Sequence, residues 1–257
     1  MDSAGTSLGK GLGSKIKAAL IAAGIGKVLK TAIFEGAKLE QSLGGVETLF
    51  KGSAGRVKQY ASQAFRTAGM SANEYMENVT SFSAAMINSL GGNTKKAARL
   101  SNQAITDMSD NANKMGSDIK MITQTYQSLA RGQYQMLDNL KLGYGGTKGE
   151  MQRLLNDAEK LTGKKYDISN FSDVTQAIHA IQTQMGITGT TAKEAASTIS
   201  GSFNMMKASA KDFLGNLTLG RDVSQSLQNL VTSTGTFLSN LMPALGNIAK
   251  GLVNVIG

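Results

Sequence analysis

The 257-residue chain has no cysteine and no tryptophan, a single histidine, His179, and a single proline, Pro243; aromatic residues make up 5% of it. Without cysteine, disulfide scaffolds, thiolate zinc sites, iron–sulfur clusters and cysteine nucleophiles are excluded. Proline is the usual punctuation of sheet-rich folds, so its scarcity, with plentiful Ala, Leu, Met, Lys and Gln, points to helices joined by the 30 glycines. The expectation is an all-α fold of several capped amphipathic helices with Gly-rich turns. So few groups able to move a proton also argues against most enzymes.

Charge is unevenly spread. Lys plus Arg exceed Asp plus Glu by 27 − 18 = 9, an excess suited to anionic lipid, nucleic acid or an acidic protein. Residues 1–66 hold ten basic and four acidic side chains, whereas residues 223–257 carry only Lys250. Three segments are expected: a basic amphipathic N-terminal segment over residues 1–50, a helical domain over 51–222, and an uncharged, weakly apolar C-terminal segment over 223–257.

Near the N-terminus Leu20, Ile21, Gly24, Ile25, Val28, Leu29, Ala32 and Ile33 form one apolar helical stripe with the lysines off it. Such a helix docks on another helix or lies on a membrane. Lys27 and Lys30 follow the apolar run at once and no stop-transfer run appears, so translocation is not expected. Val57, Tyr60, Ala61, Ala64, Phe65 and Ala68 predict one helix stopped by Gly69. Ser71-Ala-Asn-Glu74 is a capping box opening a helix that Gly91 and Gly92 close, and Thr94 and Ser117 start the next two. Thr147-Lys-Gly-Glu150 is a second box. Ser172 caps a further helix, and Thr191-Ala-Lys-Glu194 is a third box opening one long helix through Ile199, Phe203, Met206, Ala210, Phe213 and Leu217. Residues 223–249 match a bilayer in length, but Ser, Thr, Asn and Gln dilute their apolarity, and Gly235 and Pro243 are expected to interrupt a helix there. Helix packing, or insertion into membrane under a trigger, are the two readings of that segment.

The search for chemistry returns no catalytic, cofactor-binding or metal-ligating residue. His179, between Ile178 and Ile181, reads as a packing or rim histidine, and Asp107 and Asp110, at i,i+3, as solvated carboxylates. Gly143-Tyr-Gly-Gly-Thr-Lys148 fails the P-loop pattern, which needs Gly-Lys-Ser/Thr after a strand. Gly143, Gly145, Gly146 and Gly149 read instead as a structural hinge or tight turn. Dispersed lysines without aromatic platforms argue against specific nucleic-acid binding. The residues singled out are therefore these glycines and the caps Ser71, Glu74, Thr147, Glu150, Thr191 and Glu194.

Four strings carry further information: Phe65-Arg-Thr-Ala-Gly-Met-Ser-Ala-Asn-Glu-Tyr-Met76, Ile105-Thr-Asp-Met-Ser-Asp-Asn-Ala-Asn-Lys-Met-Gly116, Met136-Leu-Asp-Asn-Leu-Lys-Leu-Gly-Tyr-Gly-Gly-Thr-Lys148 and Gly186-Ile-Thr-Gly-Thr-Thr-Ala-Lys-Glu-Ala-Ala196. Together they closely resemble the N-terminal region of tail tape measure proteins from long-tailed phages and prophages of Gram-positive bacteria, over about residues 30–222. The resemblance implies a homo-oligomeric structural protein in the tail-tube lumen of the virion, with tail tube, tail tip and tail assembly chaperone proteins as partners. It also implies a stay in the host cytoplasm during assembly and a role at the host membrane during genome ejection. No catalytic residue or cofactor is carried over. The family's extended coiled-coil ruler and occasional peptidoglycan hydrolase domain lie downstream of this region and are absent from these residues. Fully helical, the chain would reach at most about 390 Å at 1.5 Å per residue. A fragment, a truncated prophage gene or an N-terminal module acting with a second polypeptide is expected. The rival reading is a membrane-active protein whose two ends form or trigger a pore.

Overall fold

Helix-forming residues punctuated by glycine leave the backbone little choice. The computed structural model describes the backbone of residues 25–256 and the side chains of residues 30–248; it is about 79% helical and has no strand among the described residues. The chain runs through α1 (Ile25–Phe50), a 3-10 turn, α2 (Ala54–Ala61), α3 (Ala64–Thr67), α4 (Ala72–Ser89), α5 (Thr94–Met115) and α6 (Ile119–Ala130). A second 3-10 turn (Leu137–Leu140) leads to α7 (Lys148–Thr162), α8 (Phe171–Gln184), α9 (Thr190–Ser197), α10 (Ile199–Thr218) and α11 (Ser224–Ile256). Leu20, Ile21 and Gly24 lie outside the described residues.

One core extends from Leu39, Leu43, Val46 and Phe50 of α1 through α2 and α4–α8 to Ile187. Tyr75, Met76, Val79, Phe82 and Met86 of α4 face Ile105 and Met108 of α5 and Ile122 and Tyr126 of α6, all at the three- and four-residue spacing of a buried helical stripe. A smaller cluster of Phe65, Ala195, Met205 and Ala208 joins α3, α9 and α10. Positive-φ glycines close the corners: Gly69 before α4, Gly91 and Gly92 after it, Gly116 after α5 and Gly163 after α7.

Several local expectations need correction. The helix expected through Val57 and Ala68 is broken at residues 62–63 into α2 and α3. Asp118 rather than Ser117 caps α6, and Asn170 rather than Ser172 caps α8, each taking a first-turn amide. The long helix expected from Thr191 is divided at Thr198, whose extended backbone ends α9 and whose hydroxyl caps α10 by accepting from the Gly201 N–H. A side chain at Gly201 would run into the Glu194 carbonyl, so glycine is what lets the two helices meet so closely.

The face of α10 is also turned. Ile199, Phe203 and Leu217 are exposed, while Ser202, Met205, Ala208, Ser209 and Gly215 are buried. The reason is the close crossing of α10 over α1, where a Cβ on Gly36 would lie 2.7 Å from Thr218 Cγ2 and one on Gly215 would lie 3.2 Å from Leu39 Cδ2. Small residues let the two helices approach, and the bulky stripe is left outside. Finally, α11 passes through Gly235 and Pro243 without a break.

Candidate functional site

The inward face of α5 mixes alanines with buried polar residues: Ser101, Asp107, Ser109, Asp110 and Asn111 are each at most 5% exposed. A buried polar group is costly unless it is paired, so each pairing identifies a structural task. Asp107 and Asp110 are thus interior groups and not solvated ones, because α5 lies between α8 and α9.

Asp110 caps α9 from outside that helix. Its two carboxylate oxygens accept from the Gly189 N–H at 2.6 Å and the Thr191 N–H at 2.8 Å, where free amides and the helix dipole both favour an anion. The third capping box is therefore not formed. Thr191 sits inside the first turn with its hydroxyl buried and unpartnered among the described residues, Gly189 (φ 83°) holds the cap position, and Glu194 reaches no cap amide. Next along α5, Asn111 Nδ2 donates to the Leu140 carbonyl at 2.9 Å, tying in the second 3-10 turn.

Asp107 Oδ1 lies 2.8 Å from His179 Nδ1, a link from α5 to α8 across 72 residues of sequence. Burial pushes the Asp107 carboxyl up to about 6, against the pull of His179, and the same hydrogen bond raises the His179 imidazole above its usual value. Asp107 Oδ2, the Tyr126 hydroxyl and both polar atoms of the Gln182 amide are buried without a partner among the described residues. A cleft of about 470 Å³ adjoins the imidazole, lined by Arg99, Gln103, Tyr166 and Gln176 together with Thr162 and Thr183. Both threonine hydroxyls are committed: Thr183 donates to the His179 carbonyl and Thr162 to the Ala158 carbonyl. Among the described residues no group of three His, Cys, Asp or Glu could hold a metal ion.

Three of the four singled-out glycines form a pinned turn. Gly143 (φ 84°) gives its carbonyl to Arg153 at 2.7 Å, the Gly145 N–H donates to Glu150 at 3.0 Å, and Gly146 lies against the Gln135 carbonyl, leaving no room for a Cβ. The Arg153 guanidinium stacks 4.3 Å from the Tyr144 ring centroid, and the Tyr144 hydroxyl donates to Asp157. Gly149 is instead inside the first turn of α7, where Thr147 caps the Glu150 N–H. Hydrogen bonds from Arg153 and the Gly145 amide hold the Glu150 carboxyl down at about 2. This glutamate reaches past the cap residue to Gly145, so the second box is opened out into a clamp on the turn.

Ser71 and Glu74 form the complete reciprocal box at the start of α4. A second acid reinforces it from α10: Asp212 accepts from the Ala72 N–H at 2.7 Å, and Lys211 pairs with Glu74. Burial pushes the Asp212 carboxyl up to about 7, with Glu74 and Glu35 adding to the effect.

These contacts join the four strings quoted above. Asp110 and Asn111 of the second bond to the fourth and the third, and Gly69 of the first lies against Thr191 of the fourth. A cleft of about 350 Å³ marks the junction, lined by Gly69, Ser109, Asn113, Thr191 and Glu194 among others. The chain matches no family model, no curated protein and no solved structure.

Outside this joint, the largest departure from ordinary burial is an apolar surface. Ile33 and Phe34 on α1, Phe203 and Leu217 on α10, and Leu238, Met242 and Ile248 on α11 are all exposed. No helix among the described residues is long and apolar enough to cross a membrane.

Proposed function

We propose that the chain is a non-enzymatic structural protein, the N-terminal portion of a phage tail tape measure protein. It scaffolds tail-tube assembly and tail length, lies in the tube lumen and aids DNA passage through the host envelope. The observation that carries this reading is the convergence of the four resembling strings on one joint, where Asp110 and Asn111 of the second hydrogen-bond to the fourth and the third and Gly69 of the first lies against Thr191. Residues shared for a reaction would surround a reactive group; these surround helix ends and turns, which suits a scaffold. Its partners are tail tube, tail tip and tail assembly chaperone proteins and further copies of itself, recognised through the exposed apolar faces of α1, α10 and α11. Mass spectrometry of purified virions tests the reading, and absence of this chain from tails that assemble normally refutes it.

The same exposed faces support a second reading, a membrane-active protein that forms or triggers a pore. Leakage of dye from anionic vesicles at low salt, suppressed by added salt, is its expected signature.

A further inference from the structure

The two ring nitrogens of His179 have different surroundings. Nδ1 is held 2.8 Å from the buried Asp107 Oδ1, between α5 and α8. That contact fixes the ring and leaves Nε2, on the opposite edge, as the nitrogen free to meet a ligand. The side chain is 33% exposed and lines the cleft of about 470 Å³ between α5, α7 and α8. Arg99 and Gln103 enter the same cleft from α5, four residues apart and so on one face of that helix with Asp107. Neither side chain has a hydrogen bond or ion pair among the described residues. No carboxylate lines the cleft among the described residues, and Leu100, Leu161, Ala180 and Tyr166 supply its apolar part.

We infer that this cleft binds the phosphate group of a small organic phosphomonoester, with Arg99 and the His179 imidazolium as its two cations and Gln103 as a neutral donor. A phosphomonoester is close to doubly negative at neutral pH, so two cations match its charge where a carboxylate would leave one unmatched. The planar fork of Arg99 grips two oxygens, and the imidazolium Nε2–H and the Gln103 carboxamide supply further donors for a tetrahedral anion. The carbon group of the ester then lies against Leu100, Leu161 and Ala180. The acids near the ring do not cancel the site. Asp107 spends its charge on Nδ1 and thereby keeps the imidazole protonated toward neutral pH, and Asp110 is committed to the Gly189 and Thr191 amides. On the other elements packed around α8, Tyr126 of α6 is a neutral phenol, Lys160 of α7 pairs with Asp157, and Lys164 beside Tyr166 pairs with Asp173. This inference is independent of the tail-protein reading, since it adds a bound ligand and no reaction.

Because the full chain has one histidine, its ring signals in nuclear magnetic resonance report on this cleft alone. At about pH 6.5, where an ordinary histidine is half protonated, phenyl phosphate added at constant ionic strength is expected to move those signals saturably and to raise the pH at which they titrate. Arg99→Gln, at an exposed and unpaired side chain, is expected to weaken binding about tenfold with unchanged circular dichroism. Lys95→Gln removes the same charge from the same helix away from the cleft and is expected to leave binding unaltered. Inorganic phosphate, without the carbon group, is expected to bind more weakly. Sulfate keeps its double charge from about pH 5 to about pH 8, and its affinity is expected to fall over that range as the imidazolium loses its proton and Asp107, which titrates at about 6, ionises beneath it. Ring signals that phenyl phosphate leaves unmoved overturn the inference, as does equal weakening by Arg99→Gln and Lys95→Gln. A sulfate affinity that does not change with pH removes the imidazolium from the site and also overturns it. Inorganic phosphate binding as tightly as phenyl phosphate overturns the choice of an ester, and benzoate binding as tightly overturns the choice of phosphate.

Discussion

Ser71, Asp110 and Thr191 show how differently three cap candidates act. Ser71→Ala removes half of a reciprocal box and is expected to cost about 1 kcal/mol. Thr191→Ala, at a hydroxyl that caps nothing, is expected to be nearly neutral, whereas Asp110→Ala takes the carboxylate from two part-buried amides and is expected to cost about 2 kcal/mol. Chemical denaturation of the three variants checks the order, and a Thr191→Ala loss equal to that of Ser71→Ala would contradict the cap assigned to Asp110. The glycines separate in the same way. Gly146→Ala forces a Cβ into the Gln135 carbonyl and is expected to cost about 2–3 kcal/mol, as overpacking does. Gly143→Ala meets open space but must hold a positive φ, a cost of about 1 kcal/mol. Gly149→Ala, inside α7, is expected to stabilise by a few tenths to about 1 kcal/mol through helix propensity. A uniform effect at the three positions would refute the pinned turn.

At the scale of elements, the main core and the attachment of α10 to α1 are held by different physics. Helices α4–α8 bury large side chains in one core, while α10 meets α1 through Gly36 and Gly215. Replacing Gly36 with Val is expected to push against Thr218 and loosen α10 by about 1–3 kcal/mol. Hydrogen exchange is the measurement: α10 amides should exchange faster while those of α5 are unchanged. An acceleration spread evenly over the chain, or no change in α10, would contradict the close crossing. The complete box at Ser71 and the cap at Thr147 were visible in advance because a cap and its amide lie three residues apart. The division of residues 191–218 at Thr198 was not, because the stripe through Ile199 and Leu217 reads as continuous and only packing decides that Gly201 must touch the Glu194 carbonyl.

The whole molecule has a pH dependence set by a few interior groups. Burial raises Asp107 to about 6 and Asp212 to about 7, and hydrogen bonding to Asp107 raises His179. All three bind protons more tightly folded than unfolded, so their stabilisation is complete below the unfolded pKa and is lost as pH rises. For the aspartates that loss begins near pH 4 and for the histidine near 6.5. Glu74 acts oppositely: despite its burial, hydrogen bonds from Lys211 and Ser71 hold its carboxyl down, and its contribution is lost as pH falls through the acid range. The melting temperature is expected to be highest near pH 5 and to decline toward pH 8, with Asp212→Asn flattening the decline; a melting temperature that climbs from pH 5 to 8 would contradict the burial of these acids. By itself the sequence determined the all-α class, the complete box at Ser71 and the glycine corners at Gly69, Gly91 and Gly163, because propensity, periodicity and capping act within one or two helical turns. Only the tertiary structure decided that Asp110 caps a helix 79 residues away, that Asp107 meets His179, and that α10 turns its small residues inward. Those outcomes depend on which remote surface arrives at a given face, and no local pattern in α5 or α10 encodes the identity of that neighbour.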